Sequence, residues 1–231
     1  MEKYCIINID NKYAAEKISS YGYKCIATEK TDSISEYIAG HADVLYLKIN
    51  DKMLYVSSCQ NKNINILEQM GVTVKKIELS KGYKTESKLN LVLCSDMILY
   101  NPKTSVDISG LAKNKNLICT KQGYTKCSTI VVDEGFITED ENIYKKLIDA
   151  NRKCLIIKKG FVNLYGYDYG FIGGASIFLR EEKILLFFGD IRKHPDFKAI
   201  CDFCSEINVK VDYIKNMELT DIGGGITLEL P

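Results

Sequence analysis

Residues 129–158, TIVVDEGFITEDENIYKKLIDANRKCLIIK, decide the fold of this chain. The apolar segment Thr129–Val132 is followed by the polar turn Asp133–Gly135 and by a second apolar segment, Phe136–Glu139, which is the pattern of a β-hairpin. Glu141–Ala150 then has the periodicity of an amphipathic helix, and Cys154–Lys158 reads as a third strand. The stretch therefore predicts a unit made of two strands, a helix and a further strand.

The same unit recurs along the chain with a period of about 45 residues. The predicted helices include Val106–Ala112 in the second unit and Asp196–Ile207 in the fourth. The last unit has only a first strand before the chain stops, and the missing part is at the other end, where Tyr4–Ile9 is predicted to be a strand. Pairing of the two terminal strands would close five units into a ring, which removes open sheet edges. We expect a single α/β domain, with units at approximately 43–79, 89–121, 127–159, 173–215, and 221–231 with 1–28.

Composition excludes several classes of function. Lys plus Arg (31) and Asp plus Glu (30) nearly cancel, so charge gives no reason to expect a nucleic acid or an anionic membrane as partner. The longest apolar run, Ile184–Phe188, is far too short to span a bilayer. We therefore expect a cytoplasmic protein, with a small molecule as a possible ligand and an oligomeric state that the sequence leaves open.

The nine cysteines predict neither a disulfide framework nor a metal site. Their number is odd and their spacing irregular, which argues against disulfide pairing. Cys201 and Cys204 form a C-x-x-C pair, but they lie inside the predicted helix Asp196–Ile207 on its apolar stripe, and no second pair is spaced to complete a zinc site. We predict no metal and no cofactor.

The dipeptide Gly-Tyr occurs shortly before the first strand of three units, as Gly82-Tyr83, Gly123-Tyr124 and Gly166-Tyr167. Three occurrences in register with the repeat favour a shared loop geometry in which glycine supplies an unusual backbone angle. The preceding loop, Ser80–Glu86, is the best candidate for a linker, although it does not mark a domain boundary.

Five units of this type, arranged with fivefold pseudosymmetry, resemble the pentein fold, the β/α-propeller of guanidino-group-modifying enzymes. That superfamily includes deiminases, amidinotransferases, dimethylarginine hydrolases and a non-catalytic ribosome anti-association factor. The segments 121–128, 166–176 and 221–224 are more closely similar to an uncharacterised bacterial family described as having this fold. The resemblance covers essentially the whole chain and implies a pentein architecture.

The resemblance also implies a candidate catalytic pair. Guanidine-modifying penteins use a cysteine nucleophile, a histidine as general acid and base, and carboxylates that hold the planar cation. Gly40-His41-Ala42-Asp43 is similar to the Gly-His-x-Asp stretch of agmatine and arginine deiminases, and Lys126-Cys127-Ser128-Thr129 is similar to their (Arg/His)-Cys-x-Thr stretch. His41 and Cys127 are two units apart, as the corresponding residues are in the family. Taken alone, either residue is more often explained by a structural role, His41 as a hydrogen-bonded or surface histidine and Cys127 as part of the core.

The chain departs from the family pattern in its last unit, where the family has its cysteine and this sequence has Gly223–Thr227. Either the ring is permuted, with the same geometry begun at another unit, or the cysteine has been lost and Cys127 is a coincidence. Under permutation the carboxylate-bearing units would be the fourth and the fifth, which nominates Asp168 and Asp221 for substrate binding. The Gly-His-x-Asp resemblance implies the same role for Asp43.

Three functions stay open at the level of sequence. The first is a cysteine-dependent hydrolase or transferase that acts on a guanidine or amidine through a covalent thiouronium-type intermediate. The second is a non-catalytic pentein that binds a protein or the ribosome, and the third is a protein that binds a small molecule without turnover.

Overall fold

The computed structural model describes residues 1–8 and 11–231. Within these residues, fifteen strands form five three-stranded sheets. The predicted end of the first strand at Ile9 lies outside the described residues. The strands are β1 (Glu2–Ile7), β2 (Tyr23–Ala27), β3 (Tyr46–Asn50), β4 (Met53–Ser57), β5 (Thr73–Ile77), β6 (Val92–Leu93), β7 (Met97–Tyr100), β8 (Asn116–Cys119), β9 (Thr129–Val132), β10 (Gly135–Thr138), β11 (Lys153–Ile156), β12 (Ser176–Leu179), β13 (Ile184–Phe187), β14 (Lys210–Tyr213) and β15 (Gly225–Leu230).

Four of the five sheets have a helix between their second and third strands. Two shorter helices precede the first strands of the first and second units. Two of the four longer helices begin with a side-chain cap. In the third unit, Asp140 accepts a hydrogen bond from the Ile143 backbone N at 2.8 Å, and Ile143 and Leu147 are buried four residues apart. The helices are α1 (Lys12–Ser19), α2 (Ala42–Leu45), α3 (Asn61–Gln69), α4 (Tyr83–Glu86), α5 (Glu141–Asp149) and α6 (Phe197–Glu206), with 3₁₀ turns at Glu36–Ile38 and Ile191–Lys193.

The five sheets share one topology. In each, the first strand pairs antiparallel with the second, and the second pairs parallel with the third, as in β9–β10–β11. In the last sheet β15 is the first strand, β1 the second and β2 the third, and β1 meets β15 in the register Glu2↔Leu230 to Ile7↔Gly225. The predicted fivefold architecture, with its last unit closed by the two ends of the chain, is confirmed.

Burial follows the position of each strand in its sheet. The second strand β10 is buried along its whole length, whereas the third strands β5, β8 and β11 are largely exposed. The exposed strands carry lysines such as Lys75, Lys76 and Lys153, which discourage pairing with another chain at a sheet edge. The outer strands therefore form the perimeter of the molecule.

The second unit departs from the prediction. Residues 106–112 were predicted to be a helix, but residues 109–111 form a turn and the others have irregular structure. Asp107 accepts hydrogen bonds from the backbone N and the hydroxyl of Ser109, at 2.9 and 3.0 Å, and Gly110 follows directly. Such local side-chain bonds compete with helical hydrogen bonds, and glycine disfavours the helix further, so a turn is the more stable structure.

The first strands of all five units surround a common axis. Residues 47–49, 91–93, 129–131, 176–178 and 224–227 line one cavity of about 390 Å³, which we call the axial cavity. The segments that precede these strands therefore come together at the axis, although they are far apart in the sequence.

Candidate functional site

A closed ring of hydrogen bonds joins the five segments that lead into the inner strands. Asp43 N donates to Gly223 O (2.9 Å), Asn90 Nδ2 to Asp43 O (3.1 Å), Cys127 N to Asn90 Oδ1 (3.0 Å), Gly173 N to Cys127 O (2.8 Å) and Gly224 N to Gly174 O (2.8 Å). Each bond connects one unit to the next, and the last returns to the fifth unit. The second unit alone takes part through a side chain, that of Asn90.

The Cys127 side chain is held in place by Asn90, its neighbour in the ring, and by Asp43 of the first unit. The side chain is 3% exposed, its Sγ donates to Asp43 Oδ2 at 2.9 Å, and Asn90 Nδ2 donates to the same sulfur at 2.8 Å. Asn90 Oδ1 also accepts from the Lys126 backbone N at 2.8 Å. Asn90 therefore fixes both the backbone and the sulfur of Cys127.

The surroundings of Cys127 keep its thiol protonated. Burial raises the pKa of Cys127 well above its usual value, and the carboxylates of Asp43 and Asp221 raise it further, whereas the hydrogen bond from Asn90 acts in the opposite direction. Lys126 is the nearby cation, and its Nζ donates to Tyr46 O at 2.7 Å. Burial lowers the pKa of Lys126, although Asp43 and Cys127 oppose that shift.

His41 and Asp221 form the second half of the site. His41 Nδ1 lies 3.6 Å from Asp221 Oδ1, and Asp221 also accepts from the Phe171 and Gly223 backbone N atoms at 2.9 and 3.0 Å. Burial lowers the pKa of His41, which favours the neutral imidazole, although the charge of Asp43 opposes this. Burial raises the pKa of Asp221 to about 6 despite its two backbone donors.

Two glycines allow this close packing. Gly223 has φ +84° and lies so close to His41 that a Cβ would overlap the histidine side chain. A Cβ at Gly174 would overlap Asp221 Oδ1. Small residues at these positions therefore let the fourth and fifth units approach His41 and Asp221.

Four of the predicted site residues, His41, Cys127, Asp168 and Asp221, line one cavity of about 350 Å³, which we call the substrate-side cavity. Asp168 lies at an exposed position of its wall. Asp43, the fifth predicted residue, lines the axial cavity and reaches this site through its contact with Cys127. One of its oxygens, Oδ1, is buried and has no hydrogen-bond partner among the described residues.

Aromatic side chains form part of the wall of the substrate-side cavity, and they include the tyrosine of each Gly-Tyr dipeptide. Tyr83 and Tyr124 have ring centroids 5.7 Å apart, and Tyr124 lies 6.2 Å from Phe171. The expectation of a shared loop angle was wrong for one of the three, because Gly82 and Gly166 have positive φ and Gly123 does not. The aromatic residues of the wall are Tyr83, Tyr124, Tyr167, Tyr169 and Phe171.

Sequence reasoning missed Asn90 and Glu86. Asn90 is a polar residue between Leu89 and Leu91, and an amide at the start of an apolar strand was the signal available for it. Glu86 lies in the loop taken as a linker candidate, yet it is 4% exposed and lines the substrate-side cavity. It accepts hydrogen bonds from Ser35 and from the Tyr124 hydroxyl.

Chemically, the arrangement offers a buried thiol, a neutral imidazole and carboxylates around one cavity. In the part of the chain that the structure describes, no group of three or more His, Cys, Asp or Glu side chains is arranged to hold a metal ion. None of the described helices is long and apolar enough to cross a membrane. All nine cysteines are free thiols.

Several solved structures share this fold at low sequence identity. Agmatine deiminase from C. jejuni is 10% identical with a TM-score of 0.54, and the match covers 93% of this chain and 87% of that one. The amidinotransferase SxtG from Microseira wollei, of the saxitoxin biosynthetic pathway, is 9% identical with a TM-score of 0.61, covering 95% and 78%. A DDAH mutant from Pseudomonas aeruginosa complexed with citrulline is 10% identical with a TM-score of 0.55, covering 99% of both chains.

These structures are pentein superfamily members, so the predicted pentein fold is confirmed. No curated protein sequence matches the chain. A family model described as a family of unknown function, DUF6873, matches residues 6–226. The chain therefore belongs to the DUF6873 family of unknown function, with the fivefold fold of the pentein superfamily.

Proposed function

We propose that this protein is a cysteine-dependent hydrolase or transferase that acts on a guanidine or amidine small molecule through a covalent thiouronium-type intermediate. Cys127 is the nucleophile and His41 the general acid and base. One observation carries the proposal: Cys127 lines the same cavity as His41 and Asp221, and its thiol donates a hydrogen bond to Asp43 Oδ2 at 2.9 Å. The names of the similar structures, an agmatine deiminase, an amidinotransferase and a citrulline complex of DDAH, support the substrate class.

The resting protonation states fit a reaction that starts when the substrate binds. The thiol of Cys127 is protonated and His41 is neutral, since burial raises the first pKa and lowers the second. A guanidinium cation beside the sulfur lowers the thiol pKa, because an opposite charge favours the thiolate. In this scheme the thiol proton, which the resting thiol donates to Asp43 Oδ2, then passes to the neutral imidazole of His41 in the same cavity.

The covalent steps balance with these groups alone. Cys127 Sγ bonds to the central carbon of the substrate, and the bond from that carbon to the leaving amine breaks as His41 returns the proton to the leaving nitrogen. Water or an acceptor amine then adds to the thiouronium carbon, the carbon–sulfur bond breaks, and one proton of the incoming nucleophile returns through His41 to the sulfur. When the nucleophile is water, its second proton leaves to the solvent, where it protonates the released amine. Water gives a urea-type product, and an amine gives a transferred amidino group.

Carboxylates position the cation in this scheme. Asp221 is anchored by two backbone donors and faces the substrate-side cavity, while Asp43 lies against the sulfur with one unpartnered oxygen, Oδ1. Asp168 is at the exposed wall and would meet a more distant part of the substrate. Carboxylates suit a planar guanidinium because they accept two of its N–H groups at once.

A ligand-binding protein without turnover is the second candidate. The observation that favours it is the double hydrogen bonding of the Cys127 sulfur, from Asn90 and to Asp43, which is also what a structural thiol would show. The nine free cysteines support a reducing, cytoplasmic compartment under either proposal.

The deciding experiment compares two alkylating reagents of the same size, the cation 2-chloroacetamidine and the neutral 2-chloroacetamide. With either reagent, the thiolate displaces chloride and forms a carbon–sulfur bond. We expect the cation to modify Cys127 at least roughly tenfold faster than the neutral reagent, and before any other cysteine, because the carboxylates attract it. Peptide mass spectrometry gives the rate at each cysteine.

Two variants complete the design. Cys127→Ser should abolish the fast reaction, whereas Cys119→Ser, which removes an exposed cysteine far from the ring, should leave it unchanged. Circular dichroism checks that both variants fold. Equal rates with the two reagents, or faster modification of Cys119 than of Cys127, would overturn the enzymatic proposal and leave the binding protein.

A further inference from the structure

The wall of the substrate-side cavity is unusually rich in aromatic rings. Tyr83, Tyr124 and Phe171 follow one another at centroid distances of 5.7 and 6.2 Å, and Tyr169 meets Phe171 at 6.5 Å. Tyr167 completes the wall on the side of Asp168. Aromatic faces attract cations through their quadrupole and pack well against apolar groups.

The charges of the same cavity have one sign. Glu86, Asp168 and Asp221 line it, and among its described lining residues there is no lysine or arginine. Glu86 is 4% exposed, and the donors to its carboxylate are neutral groups, the backbone N and hydroxyl of Ser35 and the hydroxyl of Tyr124, each at 3.0 Å. A buried carboxylate surrounded by neutral donors is stabilised by a bound cation.

We propose that the cavity takes a guanidinium or amidinium cation that carries an apolar or aromatic substituent and has no carboxylate of its own. This inference rests on the proposed function, which places the reacting carbon at Cys127. A substrate carboxylate would need a basic partner such as arginine or lysine, and here it would face three acidic side chains instead. The amino-acid forms of guanidine compounds are therefore excluded as good ligands.

The test is calorimetric titration of Cys127→Ser protein with matched compounds. Benzylguanidinium supplies the cation and the ring, 4-(guanidinomethyl)benzoate adds one carboxylate, and benzylurea removes the charge. We expect benzylguanidinium to bind at least roughly tenfold more tightly than either analogue, which is a difference of about 1.4 kcal/mol in the free energy of binding. Binding of the benzoate as tight as that of benzylguanidinium would overturn the inference, as would equal binding of benzylurea.

Two pairs of variants assign the effect to this wall. Tyr167→Ala should weaken benzylguanidinium binding several-fold, whereas Tyr165→Ala should not, although both tyrosines pack against Tyr37 at 5.9 and 5.5 Å. Tyr165 is 81% exposed and lies outside the cavity, so it is the matched control. In the same way Glu86→Gln should weaken binding and Glu36→Gln should not.

The outcome separates this inference from the proposed function. Selective labelling of Cys127 together with tight binding of the benzoate would support the enzymatic proposal and reject the inference that the substrate has no carboxylate. Tight binding of benzylguanidinium without selective labelling would reject the enzyme and leave a binding site for this cation. If Cys127→Ser does not fold, the same titrations on wild-type protein at about pH 7.5 give the same comparison, because the thiol of the free protein is protonated there and Asp221 is charged.

Discussion

The Cys127 thiol donates a hydrogen bond to Asp43 Oδ2 over 2.9 Å, so the sulfur and the carboxylate share one proton between the first and third units. An acidic neighbour is unfavourable for a thiolate, because two negative charges would then lie in contact at a buried position. The pair therefore favours the neutral thiol in the protein without a ligand. Together with burial, the charge of Asp43 explains why the pKa of Cys127, the candidate nucleophile, is raised above its usual value.

Removing the charge of Asp43 should make Cys127 more acidic. In Asp43→Asn the side-chain oxygen can still accept from the thiol, and the amide nitrogen replaces Oδ1, which has no hydrogen-bond partner among the described residues. We expect the midpoint of the pH–rate profile for alkylation of Cys127 by neutral iodoacetamide to fall by about one pH unit. Asp168→Asn, in the wall of the cavity, should leave the midpoint unchanged. An unchanged or higher midpoint in Asp43→Asn would show that Asp43 does not control the thiol.

The repeat made the architecture predictable, and the motifs around His41 and Cys127 made two positions of the site predictable. Periodicity is a local property, since each strand, turn and helix is encoded within about 45 residues. Equivalent positions of the units meet at the axis, so Asp221 and Cys127 lie close together although 94 residues separate them in the numbering. Because the units pack around one axis, the position of a residue within the repeat predicts which residues of other units lie near it.

The aromatic wall and Asn90 could not be predicted in the same way. The rings of Tyr83, Tyr124 and Tyr167 come from three loops, and their convergence depends on how neighbouring units pack. Asn90 replaces a backbone link of the hydrogen-bond ring by a side chain, which breaks the symmetry that the repeat implies. The helix predicted at Val106–Ala112 failed because a local turn at Asp107 outweighed a short apolar pattern.

Asn90→Ala should destabilise the protein more than the same substitution at another buried asparagine. The change leaves the backbone N–H groups of Lys126 and Cys127 without their acceptor, and each such loss costs about 1–3 kcal/mol. We expect urea unfolding to show a loss of roughly 2–6 kcal/mol. Asn101→Ala is the matched control, because Asn101 is also buried, and among the described residues its side chain accepts from a single backbone N–H, that of Lys103. Equal losses in the two variants would argue against a special role for the ring.

Asp221 should make the protein less stable as the pH rises from 4 to 7. Its pKa is raised by burial from 3.8 to about 6, so the folded state binds more protons than the unfolded state between these values. The stability contribution of this group is complete below pH 3.8 and is lost as the pH passes 6. The free energy of unfolding of the wild type, relative to Asp221→Asn, should fall by about 3 kcal/mol across this window.

Asp96→Asn is a control in which the unfolding free energy of the wild type, relative to the variant, should change with pH in the opposite direction. The hydrogen bond from Arg152 lowers the pKa of Asp96, so its contribution is present above its unfolded pKa and is lost as the pH falls. The wild type should therefore gain stability relative to Asp96→Asn as the pH rises. A difference curve for Asp221→Asn that stays flat while the curve for Asp96→Asn rises would mean that the pKa of Asp221 is the same in the folded and unfolded states.

Gly174→Ala should disturb the site through a single added methyl group. A Cβ at this position would overlap the Asp221 carboxylate, and Asp221 is itself fixed by the Phe171 and Gly223 backbone N–H groups. Overpacking of this kind costs about 1–3 kcal/mol, and we expect a thermal or urea unfolding loss in that range together with slower labelling of Cys127 by 2-chloroacetamidine. Gly110→Ala is the control, because no neighbouring atom lies within 4 Å of a Cβ there, and alanine at such a position should be neutral or slightly stabilising. If Gly174→Ala kept both wild-type stability and wild-type labelling, the carboxylate of Asp221 would have room to move, and its fixed position could not be part of the mechanism.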